Sequence, residues 1–110
     1  MAITSVEFNK FKLKNPIMTA SGTYGYNNEY ADFIDVSKLG AVVTKAISLK
    51  PREGNKHNRI TETKAGMINS IGLENVGIEK FLSDKMPVLK EKNIEFVMNI
   101  AGSTLDEYVE

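Results

Sequence analysis

Apolar positions change period repeatedly along this chain, and each change marks an element. Val6, Phe8, Phe11 and Leu13 alternate with polar residues on either side of Asn9-Lys10, the pattern of a small β-hairpin. Pro16 to Gly22 is a short apolar run that reads as a buried strand. A loop over Thr23 to Asn28 follows, with Gly25 as breaker. Tyr30, Phe33 and Ile34 fall at helical spacing, and Leu39-Gly40 supplies a helix end. Ala41 to Ile47 is a second buried strand. Residues 49–59 are polar and interrupted by Pro51 and Gly54, hence a loop. Ile60 to Thr63 and Met67 to Ile71 flank Lys64-Ala-Gly as a second hairpin. Ile78, Phe81, Leu82, Met86 and Leu89 share a helical face running to about Glu91. Pro87 either kinks that helix or opens a second one as its first residue. Glu95 to Gly102 is a third buried strand. Ser103 or Thr104 then caps a helix with acids in its first turn.

Strands alternating with helices predict an α/β fold with a parallel sheet. Periodicity leaves two architectures open, an open doubly wound sheet and an α/β barrel. The helix that opens at Ser103 leads to the expectation that residues 1–110 are part of a longer, incomplete domain.

Composition narrows the functions. Hydrophobic residues make up 42% and charged residues 25%, enough apolar material for a packed core. The 14 basic and 14 acidic residues cancel, so no basic surplus argues for nucleic acid. Cysteine is absent, which excludes disulfides and thiolate metal sites within these residues, and His57 is the only histidine. His57 lies among Gly54, Asn55, Lys56 and Asn58 and reads as a solvated loop residue. No apolar run approaches the roughly 20 residues of a membrane span, and Met1 to Ser5 lacks a signal-peptide pattern. A cytoplasmic protein without a membrane partner is expected.

Each apolar strand carries a polar residue near its C-terminal end: Ser21, Lys45 and Asn99. Parallel strands are normally apolar throughout, and a buried unpaired lysine is costly. The C-terminal strand ends are where α/β folds assemble sites. Lysine offers a fixed cation and three donors, suited to a carboxylate, a phosphate or an anionic flavin. Asparagine donates and accepts, so Asn69 and Asn99 are candidates to read a planar imide ring. Asn69 can equally be a hairpin-turn residue, and Ser21 a chance polar residue at a strand end. Asn69 to Leu73 could present backbone N–H groups to such a ring. The Ser21 to Tyr26 stretch lacks the dinucleotide-binding glycine spacing, and no Walker loop is present.

Four blocks together, in this order, resemble the class 1 dihydroorotate dehydrogenases. They are Asn15-Pro-Ile-Met-Thr-Ala-Ser-Gly-Thr-Tyr-Gly, Gly40-Ala-Val-Val-Thr-Lys-Ala-Ile-Ser-Leu-Lys-Pro-Arg-Glu-Gly-Asn, Asn69-Ser-Ile-Gly-Leu-Glu-Asn and Asn99-Ile-Ala-Gly-Ser-Thr. The Lys-Pro-Arg-Glu-Gly-Asn stretch and Arg59-Ile-Thr-Glu-Thr are more similar to the NAD-linked class 1B than to the fumarate-linked class.

The resemblance implies the N-terminal portion of a (β/α)8 TIM barrel, its bottom capped by the hairpin. It implies FMN at the barrel mouth and oxidation of (S)-dihydroorotate to orotate in pyrimidine synthesis. There a base removes the C5 proton while hydride passes from C6 to flavin N5. By the resemblance, Ser21, Lys45, Ala46 and Asn99 contact FMN, and Lys45, Asn69, Ser70, Ile71, Gly72 and Leu73 contact the substrate. Lys45 would favour anionic reduced flavin. Ala46 departs from a glycine common in the family, leaving slightly less room. The family's base is a cysteine on a later loop, and its phosphate loops follow the last strands of a barrel of about 250 residues. These residues alone are therefore expected to be inactive. Class 1B also implies a homo-oligomer with an electron-transfer subunit carrying FAD and a [2Fe–2S] cluster, passing electrons to NAD. Two alternatives remain: a non-catalytic half-barrel that self-assembles, and another FMN-dependent barrel enzyme of the dihydropyrimidine dehydrogenase type.

Overall fold

A computed structural model describes residues 4–26, 29–30 and 32–110. Its first element is the expected hairpin, β1 (Val6–Phe8) paired antiparallel with β2 (Phe11–Leu13). The two-residue turn works because Asn9 adopts a left-handed φ of 52°, which asparagine tolerates. Phe8 and Phe11 stack on one face, and Glu7 pairs with Lys12 across the other.

The parallel part is centred on β3 (Val42–Val43) and β6 (Phe96–Val97). Hydrogen bonds extend their pairing past the strands proper: Thr44 N–H donates to Val97 O, Ile47 N–H to Asn99 O and Ala101 N–H to Ile47 O. The buried strand expected over Pro16 to Gly22 contracts to a single parallel bridge between Met18 and Ala41. The cause is local. Asn15 Oδ1 accepts the Ile17 N–H, and Thr19 Oγ1 accepts the Val43 N–H where a backbone carbonyl would complete the ladder. Ile17 and Met18 remain exposed, so that run is not buried as its composition suggested.

The strand expected to be buried at Glu95 to Gly102 is half-buried. Phe96 and Met98 pack against the core while Val97 between them faces outward. That alternation belongs to a sheet covered on one side.

The helix expected from Tyr30 to Leu39 does not form in the described part of that segment, although Ala31 lies outside the described residues. A turn closes with Ile34 N–H on Tyr30 O, and a 3₁₀ turn follows at Val36–Lys38. Asp35 interrupts any longer helix by accepting the Ser37 N–H with its side chain. Phe33, 84% exposed, finds no core to face.

The second hairpin, β4 (Ile60–Thr63) with β5 (Gly66–Asn69), has all eight residues exposed. Beyond it, α1 (Gly77–Lys80), a π-turn (Phe81–Lys85) and α2 (Met86–Glu91) form one continuous helical run. Pro87 is not the first residue of α2. It is the second, just after a π-turn in which Met86 N–H donates to Phe81 O. This run buries Phe81 and Leu89 completely against Tyr26 and Ile47, with Phe96 and Met98 alongside. A second cluster gathers Tyr24, Val36, Val42 and Ile94. Finally α3 (Leu105–Val109) starts at Thr104, whose hydroxyl accepts the Glu107 N–H, while the Glu107 carboxylate accepts the Ser103 N–H.

The radius of gyration is 15.8 Å, against about 13 Å for a compact domain of this size. The excess reflects an open architecture, in which the hairpin β4–β5 stands over the strand ends with a cavity between.

Candidate functional site

One wall of that cavity is built from strand ends. Thr44 is fully buried immediately after β3 and organises it. Its carbonyl accepts the Ser21 hydroxyl (2.8 Å), and its own hydroxyl accepts the Asn99 N–H (3.3 Å). Asn99 Nδ2 then donates to Ser21 Oγ (2.7 Å), closing a ring of three residues from three chain segments. The Asn99 amide orientation follows from this network, because its carbonyl oxygen has no donor to face there. Lys45 comes next on the strand, held by its N–H on Gly25 O. It is half-buried, and its ammonium has no ion-pair partner among the described residues.

The opposite wall is the loop leaving β5. Asn69 pairs with Ile60 at the end of the strand and is not in the hairpin turn. Ser70, Ile71, Gly72 and Leu73 follow, Gly72 and Leu73 both with left-handed φ, 79° and 54°. Three carbonyls of this loop are engaged. Asn55 Nδ2 donates to Ser70 O, Asn55 N–H to Ile71 O, and Asn75 Nδ2 to Leu73 O. The N–H groups of Ile71, Gly72 and Leu73 donate to no partner among the described residues. Three of the loop's four carbonyls are therefore engaged while three of its N–H groups are not, which leaves it richer in open donors than in open acceptors.

Both walls line a single cavity of about 930 Å³, together with Gly22, Thr23, Tyr30, Ala46, Met67 and Glu74. Its volume falls at the upper end of the roughly 300–1,000 Å³ typical of small-molecule sites. Glu74 is neutralised by Arg59 at 2.5 Å. Lys45 is left as the one charged lining side chain without a counter-ion among the described residues. The cavity thus offers a cation, a hydroxyl–amide pair and backbone donors, a set that matches an anionic, carbonyl-rich planar ligand.

Every residue singled out from the sequence, namely Ser21, Lys45, Ala46, Asn69 to Leu73 and Asn99, lines this cavity. Sequence reasoning missed Thr44, Asn55 and Asn75. Thr44 had a faint signal, a hydroxyl inside an apolar strand. Asn75 is a buried hub whose Oδ1 accepts the Ser48 and Gly77 N–H groups. No periodicity announces such a residue. His57 is exposed, as a loop residue should be. No cluster of metal-ligating side chains occurs among the described residues.

The family described as dihydroorotate dehydrogenase matches residues 3–110. The chain belongs to the dihydroorotate dehydrogenase family. Three relatives carry the name dihydroorotate dehydrogenase B (NAD(+)), catalytic subunit. The one from Geotalea uraniireducens is 51% identical over 106 residues, 96% of this chain and 35% of that protein. Those from Thermodesulfovibrio yellowstonii and Porphyromonas gingivalis are 49% and 50% identical over the whole chain, and 36% of each is covered. The chain spans about a third of the length of these relatives. Family membership agrees with the resemblance carried by the four sequence blocks, and all four contribute residues to the two walls.

Proposed function

We propose that this chain is the N-terminal part of the catalytic subunit of a B-type dihydroorotate dehydrogenase. Its elements would begin a (β/α)8 barrel whose mouth holds FMN and dihydroorotate. The observation that carries the reading is one cavity in which Ser21, Asn99 and Lys45, the first two braced by buried Thr44, face the donor loop Ile71 to Leu73.

The residues fit FMN on chemical grounds. Ser21 and Asn99 would hydrogen-bond polar edges of the ring system. Ala46, nearly fully buried at the cavity floor, is small enough for close approach. Lys45 supplies positive charge where the ring gains negative charge. When bound, FMN supplies the hydride-accepting chemistry of the reaction. Asn69 would read an amide or imide edge of the substrate, and the N–H groups of Ile71 to Leu73 would bind its carboxylate or ring carbonyls. A site that hydrogen-bonds a substrate in this way rejects analogues lacking the bonded groups. Lys45 stands between the two ligands and would orient both. The proton-accepting base lies outside these residues, which contain no cysteine.

The relatives' printed name supports NAD as electron acceptor and a second subunit as partner. That subunit would carry FAD and a [2Fe–2S] cluster, in a homo-oligomeric assembly in the cytoplasm. No helix among the described residues is long and apolar enough to cross a membrane.

The test is anaerobic spectroscopy of the full-length catalytic subunit. Purified protein should show a flavin band that dihydroorotate bleaches, with orotate as product. A protein that retains no flavin, or a band indifferent to dihydroorotate, would overturn the reading.

A further inference from the structure

The donor loop owes its polarity to a neighbour that does not line the cavity. Residues 52–59 run alongside residues 69–75 and are tied to them at Arg52, Asn55 and Arg59. Arg52 and Asn75 exchange both backbone hydrogen bonds, at 3.0 Å each. Asn55 N–H donates to Ile71 O at 2.9 Å, and its side-chain amide to Ser70 O at 2.8 Å. Ser70 N–H donates to Arg59 O at 2.8 Å. Arg59 in turn pairs with Glu74 and donates to the carbonyls of Asn55 and Glu53.

Two glycines let these segments approach. A Cβ on Gly54 would lie 2.4 Å from Ile71 O, and one on Gly72 would lie 2.8 Å from Asn55 N. Both hold positive φ, so a side chain at either is opposed by contact and by conformation. The contacts are directional. The segment 52–59 takes up the carbonyls of Ser70 and Ile71 and leaves the N–H groups of Ile71, Gly72 and Leu73 unmatched along the cavity.

We infer that Asn55 is a positioning residue for substrate binding, its amide fixing the Ser70–Ile71 carbonyls so that the loop presents donors to an anionic ligand. The inference rests on the proposed dihydroorotate site and adds to it a residue that does not line the cavity. It also separates the two walls. The Ser21–Thr44–Asn99 ring shares no hydrogen bond with the 52–59 segment, so disturbing Asn55 leaves the proposed flavin contacts in place. Asn55 is exposed, and its replacement removes no core packing.

The experiment compares the flavin-loaded full-length subunit with its Asn55→Ala and Asn55→Asp variants. Asp keeps the shape but sets an acceptor against the Ser70 carbonyl. Orotate affinity, read from the flavin difference spectrum, should fall about tenfold in N55A and further in N55D. KM for dihydroorotate should rise in step while kcat and flavin content hold. Equal orotate affinity in all three proteins would overturn the inference, as would loss of flavin in parallel with orotate. If the parent protein binds no orotate at all, the proposed function fails by itself. Hydrogen exchange then decides the positioning role: faster exchange at the Ser70 amide and the backbone amide of residue 55 in N55D supports it, and unchanged exchange rejects it.

Discussion

The two walls of the cavity do comparable work by opposite means. The strand-end wall presents side chains from a parallel pair packed on one side: Lys45 follows Thr44, which is fully buried, and Asn99 follows β6. The loop wall presents backbone, and its side chains are largely exposed. The first is held by the core beneath it, since Val42 and Ile47 belong to the two apolar clusters. The second is held by a partner loop and two glycines. Side-chain chemistry resting on a packed strand survives solvent on one face. Backbone chemistry needs its competing acceptors used up first, because an idle carbonyl would turn the same loop against an anion.

Replacing the strand wall's cation should have the largest effect. Lys45→Ala in the full-length subunit is expected to slow flavin reduction by dihydroorotate about 10²–10³-fold, the usual cost of removing one preorganised electrostatic contact. Stopped-flow absorbance measures it, and unchanged kinetics would remove Lys45 from the proposed site. The loop wall should break more gently and differently. Gly72→Ala is expected to weaken orotate binding about tenfold, equivalent to about 1.4 kcal/mol, while bound flavin stays constant. Flavin loss in that variant would show that the walls are not separate.

The smallest effect is expected beneath the strand wall. The Tyr24 hydroxyl is buried with no hydrogen-bond partner among the described residues. Burial pushes its pKa up, with Glu29 adding to the shift. A phenol whose folded pKa is raised stays neutral longer in the fold than in the unfolded chain. Its contribution is constant below the unfolded value near 10 and is lost as pH climbs through the folded value. Tyr24→Phe should therefore leave stability unchanged or slightly higher at pH 7, because no bond is lost. It should also flatten the decline above about pH 10. Thermal melts across pH test both; a large loss at pH 7 would reveal a partner for the hydroxyl.

The same contrast governs what could be read from the sequence. Lys45 in an apolar run is conspicuous because its side chain contradicts its neighbours. Both hairpins were legible from alternation bounded by turn residues, although the second faces no core at all. The segment from Tyr30 to Leu39 had helical spacing but no surface to bury it against, so the Asp35 side chain decided the local geometry. The run at Pro16 was apolar enough for a strand, yet Asn15 and Thr19 supplied side-chain bonds that displaced the ladder. Asn55 and Asn75 were invisible because their importance lies in which carbonyls they meet, and those are brought near by the fold.

The π-turn at Phe81–Lys85 has a consequence for chain length. An α-helix turns about 100° per residue, so Phe81 and Leu89, eight positions apart, would point in directions about 80° apart on a regular helix. Here both are fully buried in one cluster. The wide turn absorbs one residue, and the helical run behaves as though it were a position shorter than its sequence. A chain lacking Ser83 would keep that face on a plain α-helix, but it would lose the loosened rung that precedes Pro87. Deletion of Ser83 combined with Pro87→Ala should melt closer to the parent than the deletion alone, with circular dichroism as the readout. Insertions and deletions in this stretch are then governed by the proline more than by the core.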